Sequence, residues 1–295
     1  MTRLSDAMKE CGVLVENELD KLITVPNTPE KKVAEAMRYA VLGGGKRLRP
    51  FLLMEVAGLF NVTPAGALRA GAALEMVHCY SLIHDDLPCM DNDDMRRGKP
   101  SCHIAFGETT ALLAGDALLT RAFDVLADEK THSDPVVRCQ LVTELARAAG
   151  FNGMIGGQQL DMMAADVDMD LVEITRLQQM KTGRLISYAC EAGAIMGKAP
   201  YNERQILLAY AKDIGLAFQI ADDILDVESS AEVMGKNVRK DVDAAKATFV
   251  SFLGLDEAKK QARTLVEQAV SYLDIFDARA DMLRDLARFV VERKS

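Results

Sequence analysis

The sequence contains no tryptophan and no pair of cysteines in C-x-x-C spacing. Its six cysteines (Cys11, Cys79, Cys89, Cys102, Cys139, Cys190) and four histidines (His78, His84, His103, His132) are scattered. That argues against a disulfide framework and against a structural zinc site, and reads as reduced thiols in a cytoplasmic protein. No apolar run reaches the roughly 18 residues of a membrane-spanning helix. The stretch MTRLSDAMKECGVLVENELD is charged throughout and unlike a signal peptide. Only 8 prolines occur, and no stretch rich in Ser, Pro or Gly reads as a linker, so a single domain over 1–295 is expected. Alternating apolar runs are also missing, so neither a strand pair nor a hairpin is expected. Basic excess is absent: the formal net charge is −9, which makes nucleic acid a poor partner.

What the chain does have is helix. It is 49% hydrophobic, enough for a large core. In KKVAEAMRYAVL the apolar residues Val33, Met37, Ala40 and Val41 fall on one helical face, and Gly43, Gly44 and Gly45 then stop the helix. Pro50 suits the first turn of the next helix, FLLMEVAGLF. AGALRAGAALEMVHCYSLIH is apolar nearly all round and reads as a central helix. Asp170 and Glu173 have capping-box spacing ahead of a long helix, LVEITRLQQMKTGRLISYACEAGAIM. ERQILLAYAKDIGLAFQIADDILDV reads as a further buried helix. The expectation is an all-α bundle of about ten helices.

Two acidic motifs end apolar helices. HDDLPCMDNDD places Asp85, Asp86, Asp91, Asp93 and Asp94 close together, and DDILD places Asp222, Asp223 and Asp226. Two carboxylates about 4 Å apart repel by roughly 4 kcal/mol at an effective dielectric of 20, so something must offset them. Four helical residues advance about 400°, which puts Asp222 and Asp226 on one face. Asp85 and Asp91 are on different faces of an ideal helix. Pro88 and its effect on Leu87 end the helix near Asp86, so the loop must swing Asp91 back beside Asp85. Paired carboxylates of this kind suit Mg²⁺, which takes one or two of them together with substrate phosphates. Basic groups lie nearby: Lys46, Arg47 and Arg49 in GGGKRLRP; Arg96, Arg97 and Lys99 in RRGK; Lys181 and Arg184 in KTGR; Lys236, Arg239 and Lys240 in GKNVRK. Arg forks and Lys charges fit a polyanion bridged by metal.

GGGKRLRP, HDDLPCMDNDDMRRGKPSCH, GGQQLD, KTG and FQIADDILD, in this order, resemble the trans-prenyltransferases, the isoprenyl diphosphate synthases. The resemblance implies helices around a deep cavity, a homodimer, and Mg²⁺-dependent condensation of an allylic diphosphate (dimethylallyl or geranyl) with isopentenyl diphosphate. It implies about three Mg²⁺ per site once substrate is bound, with Mn²⁺ as a substitute. By resemblance, Asp85, Asp86, Asp91, Asp222, Asp223 and Asp226 are metal ligands. Arg96, Lys181 and Lys236 contact the allylic diphosphate. Lys46, Arg49, His78 and Arg97 match the isopentenyl diphosphate pocket. Thr182 and Gln219 stabilise developing positive charge, and Lys246 faces phosphate, although Ala245-Lys246-Ala247 departs from the family's GK[ST]. The resemblance also implies that the released diphosphate takes the final proton. Residues 229–245 are expected to form a lid.

Tyr80 and Ser81 precede Asp85 by five and four residues, about 6 to 7.5 Å down the helix. They are the expected determinants of product length. An aromatic residue at this place, with the longer first motif, resembles bacterial farnesyl diphosphate synthases and implies a fifteen-carbon product. A geranylgeranyl or geranyl synthase is the alternative. A terpene cyclase fits less well, because DDILD is not its second metal motif and tryptophan, the best cation cradle, is missing. A regulatory subunit of a heteromeric prenyltransferase would tend to have lost an aspartate motif. Among the remaining residues, His84 is expected to bond a neighbour and His103 to shape its loop. Gln158 and Asp161 are expected to order a network, and Arg293 and Lys294 to be either an isopentenyl diphosphate cover or a solvated end.

Overall fold

The computed structural model describes residues 3–164, 167, 169–234 and 248–292, with the backbone alone at 229–234. The fold is all-α, as the periodicity requires. The helices are α1 (Arg3–Leu22), α2 (Lys31–Val41), α3 (Leu48–Leu59), α4 (Pro64–Asp85), α5 (Cys102–Phe106), α6 (Glu108–Ala127), α7 (Pro135–Ala149), α8 (Met154–Met163), α9 (Leu171–Gln178), α10 (Arg184–Met196), α11 (Tyr201–Met234), α12 (Phe249–Leu253), α13 (Leu255–Tyr272) and α14 (Asp281–Glu292). No helix among the described residues is long and apolar enough to cross a membrane.

The backbone divides into two compact units. The first runs to Leu145 and includes Ala192–Ala199. Its centre is α4, which is buried on every side between Ala70 and Val77. That is the consequence of an apolar helix with no polar stripe. α4 packs on α3 and α6. The second unit comprises Ala146–Glu191 and the chain from Pro200 onward. Ile220 and Ile224 of α11 pack with Ile174, Phe249, Ala258 and Ala262 in one core. The capping box holds: Glu173 N–H donates to Asp170, and Asp170 N–H donates back to the Glu173 side chain.

Three expectations need correction. A two-residue hairpin exists, β1 (Met95–Arg96) and β2 (Lys99–Pro100), turning through Arg97 and Gly98, both with positive φ. Arg-Gly lacks the Asn-Gly or Asp-Gly signature of such turns, and the strands are too short to show alternation. The helix expected from Leu171 to Met196 is interrupted by a π-helical turn at Gln179–Gly183. Arg47, grouped above with the phosphate-binding cations, is buried in an ion pair with Glu75.

Candidate active site

In the first unit, α4 ends at Asp85, and the chain then turns through Pro88. Asp91 N–H donates to the Asp85 carbonyl at 2.9 Å, so the loop returns Asp91 beside Asp85 as the spacing requires. Asp86 is 2% exposed. Arg96 from the hairpin donates to it through Nε (3.0 and 3.3 Å to the two carboxylate oxygens) and Nη2, and also reaches Asp93 at 3.4 Å. This pairing offsets the carboxylate repulsion that the motif would otherwise carry. It also joins two residues expected to face metal and diphosphate separately. His84 shares its Nε2 hydrogen bond with the Leu112 carbonyl at 3.0 Å, as a bonded neighbour. His103 bonds Ser101 at the start of α5.

The cations come from the loop before α3, the first turn of α3 and the β1–β2 hairpin. Gly44, Gly45 and Arg47 all have positive φ ahead of α3. A Cβ on Gly45 would lie 2.8 Å from the Arg97 guanidinium carbon, and Arg97 donates to the Gly44 carbonyl. Lys46 is exposed; Arg49 is half-buried in the first turn of α3, and its Nε is buried without a partner. Burial lowers the Arg49 pKa and Arg97 adds to that, against the pull of Glu75. Burial also holds His78 well below its ordinary range, reinforced by Arg49, Arg97, Arg47 and Arg96. A neutral imidazole therefore sits among arginines, of which Arg47 and Arg96 are paired with carboxylates and Arg49 keeps a buried Nε without a partner.

Tyr80 is buried, and its hydroxyl has no partner. Burial pushes its pKa up to about 12. Its ring meets His84 edge-on with centroids 5.6 Å apart. Ser81 donates to the His78 carbonyl at 2.8 Å.

In the second unit, Asp222, Asp223 and Asp226 lie on the unbroken α11. Phe249 N–H donates to Asp223 at 2.7 Å, tying the motif to the start of α12. Burial raises the Asp223 pKa to about 6; the Phe249 N–H opposes this, and the charges of Asp226 and Asp222 add to it. Lys181 and Thr182 lie in the π turn, both half-buried. Lys181 Nζ donates to Asp161 of α8 at 2.6 Å. Gln219 is half-buried on α11, three residues before Asp222. The π turn packs on α8 and on α11. Lys236 and Lys246 lie outside the described residues. So do Arg239, Lys240, Arg293 and Lys294, and nearly all of the expected lid.

The polyprenyl synthetase family matches residues 30–281. This chain belongs to that family. It is 40% identical to the farnesyl diphosphate synthase of Bacillus subtilis over 294 residues, covering 99% of this chain and 98% of the other. It is also 40% identical to a geranylgeranyl diphosphate synthase of Cyanophora paradoxa over 283 residues, covering 96% and 94%. An FPP/GFPP synthase structure from Zymomonas mobilis is 49% identical with a TM-score of 0.90, covering 98% of each chain. The chain is a prenyl diphosphate synthase, and hence a prenyltransferase.

The family uses Mg²⁺. This ion is bound by one or two carboxylates with water and phosphate completing the shell, so it needs no full cage of protein ligands. The groups acting on Asp223 are two further carboxylates and one amide, and a cation there would reverse its shift. The polyprenyl synthetase motifs thus fit the ion through all-oxygen donors.

Three functional features escaped the sequence reading. Glu75 carried no motif. The π turn broke the helical period by a single residue, although Gly157 in GGQQLD was a signal of close approach. The Asp161–Lys181 pair spans 20 residues, which no local pattern encodes.

Proposed function

We propose that the protein condenses isopentenyl diphosphate head to tail with dimethylallyl and then geranyl diphosphate. The products are farnesyl diphosphate and inorganic diphosphate. The observation that carries the reading is the cationic cluster of Arg49, Arg97 and neutral His78. Its Arg49 Nε is buried and unpaired, Arg97 donates to the Gly44 carbonyl of the loop before α3, and His78 lies on α4, the helix that ends at Asp85. Lys46, Arg49 and Arg97 hold the isopentenyl diphosphate, and His78 hydrogen-bonds it without adding charge. Asp85, Asp86 and Asp91, and likewise Asp222, Asp223 and Asp226, are the metal-holding carboxylates. Bound Mg²⁺ supplies charge neutralisation for the departing diphosphate. Arg96 and Lys181 add to that neutralisation. Each has a carboxylate partner now and exchanges part of that contact for phosphate oxygen. The oxygens of Thr182 and Gln219 stabilise the positive charge left on the allylic carbon. The apolar wall of α4 excludes water from that cation. Lys236 is assigned to phosphate by the resemblance, and so is Lys246, although Ala245-Lys246-Ala247 departs from the family's GK[ST]. The family resemblance adds the further proposal of a cytoplasmic homodimer.

Product length rests on Tyr80, because relatives named for fifteen- and twenty-carbon products match equally well. Its ring fills space on α4 about 7.5 Å below Asp85. The buried, unpartnered hydroxyl makes no bond that fixes the ring, so its volume is what matters. Tyr80→Phe should keep the product, and Tyr80→Ala should lengthen it by at least one five-carbon unit. Mass spectrometry of the dephosphorylated products decides. An unchanged Tyr80→Ala product would put the floor elsewhere.

A further inference from the structure

Arg47 is the cation of GGGKRLRP that cannot reach substrate. Its side chain is 1% exposed and Nη1 donates to Glu75 Oε1 at 2.6 Å. Nη2 reaches Glu16 at 3.2 Å and the Val41 carbonyl at the end of α2. Glu75 is itself 2% exposed, on α4 one turn before His78. Arg47 also sits in the left-handed region (φ 47, ψ 35), at the residue just before α3. A side chain other than Gly holds that conformation only where its surroundings over-determine it.

The consequence falls on its neighbours. Lys46 precedes Arg47, Arg49 follows two residues later, and Gly44 of the same loop accepts a hydrogen bond from Arg97. Gly45 leaves room for the Arg97 guanidinium, which a Cβ would enter. Three cations assigned to one anion therefore lie on, next to or hydrogen-bonded to a loop that is pinned at Arg47. Two glycines with positive φ leave that loop free to move unless it is anchored.

We infer that the buried Arg47–Glu75 pair is a positioning device that fixes the 43–47 loop and the start of α3, and with them Lys46, Arg49 and Arg97, for isopentenyl diphosphate. The inference rests on the reading of these three residues given above. Arg47 and Glu75 touch no substrate; they act through the loop.

The test is the double variant Arg47→Met/Glu75→Leu, which replaces the pair by apolar groups of similar volume and spares the fold an unpaired buried charge. The KM for isopentenyl diphosphate should rise about tenfold or more, while the KM for dimethylallyl diphosphate stays within about twofold and thermal unfolding moves little. Glu75→Gln keeps the size and removes the charge, and should show the same split at a severalfold level if the double variant does not fold. An unchanged isopentenyl diphosphate KM in an active variant overturns the inference. So does an equal rise in both KM values with a lowered unfolding midpoint, which marks a merely structural pair. A wild-type protein that condenses no isopentenyl diphosphate overturns the site reading, and this inference with it.

Discussion

Asp85→Asn and Asp222→Asn should each lower kcat by about 10²–10³-fold while leaving the fold intact. Asn keeps the size of Asp and removes only the charge. The Asp85 contact that shapes the loop is made by its backbone carbonyl, which accepts from Asp91 N–H and survives the substitution. Asp222 lies on an unbroken helix, and the tie to α12 is made by Asp223. Each substitution removes one hard oxygen charge from its acidic motif. The dependence on Mg²⁺ should move with it, half-saturation rising in both variants. Steady-state rates across a Mg²⁺ series, with circular dichroism and melting as fold controls, check this. Activity within about fivefold of wild type at saturating Mg²⁺ would remove either residue from the metal-holding set.

Gly157→Ala carries the second large effect. A Cβ at Gly157 would overlap the Lys181 amide nitrogen and sit 2.6 Å from Lys181 Cα. The opposing atoms are backbone, so no rotamer change relieves the clash. Either α8 or the π turn must shift. The Asp161–Lys181 ion pair joins those two elements and shifts with them. Single π turns inside helices are frequent at functional sites. Overpacking of this kind costs about 3 kcal/mol. A misplacement of about 1 Å at a charge-stabilising group costs about 10²-fold in rate. Gly157→Ala should therefore show both losses. Gly58→Ala is the control: nothing lies within 4 Å of its Cβ, so it should be neutral or slightly stabilising through helix propensity. A Gly157→Ala protein that melts and turns over like wild type would show that the π turn tolerates movement.

Legibility followed the range of the interaction. α4 was readable because an apolar helix without a polar stripe has only one place to go, and Pro88 marked its end. Asp170 and Glu173 announced their cap three residues apart. The return of Asp91 to Asp85 followed from proline geometry. The Arg47 burial was not readable, since three basic residues within four positions look alike until α4 supplies Glu75. The hairpin was hidden because Arg97 adopts a left-handed conformation that its residue type does not advertise. The π turn was hidden because LVEITRLQQMKTGRLISYACEAGAIM keeps a smooth helical pattern through it. The partners of Arg96 and Lys181 come from tertiary packing, which charge patterns alone do not specify.

The most direct measurement is a product assay on the purified wild-type protein with isopentenyl diphosphate, dimethylallyl diphosphate and Mg²⁺. The products are dephosphorylated and weighed by mass spectrometry, with EDTA in a parallel reaction. Farnesol should dominate with Mg²⁺ and be absent with EDTA. Geranylgeraniol as the main product would contradict Tyr80 as the floor. No prenyl alcohol from dimethylallyl or geranyl diphosphate would contradict the account as a whole.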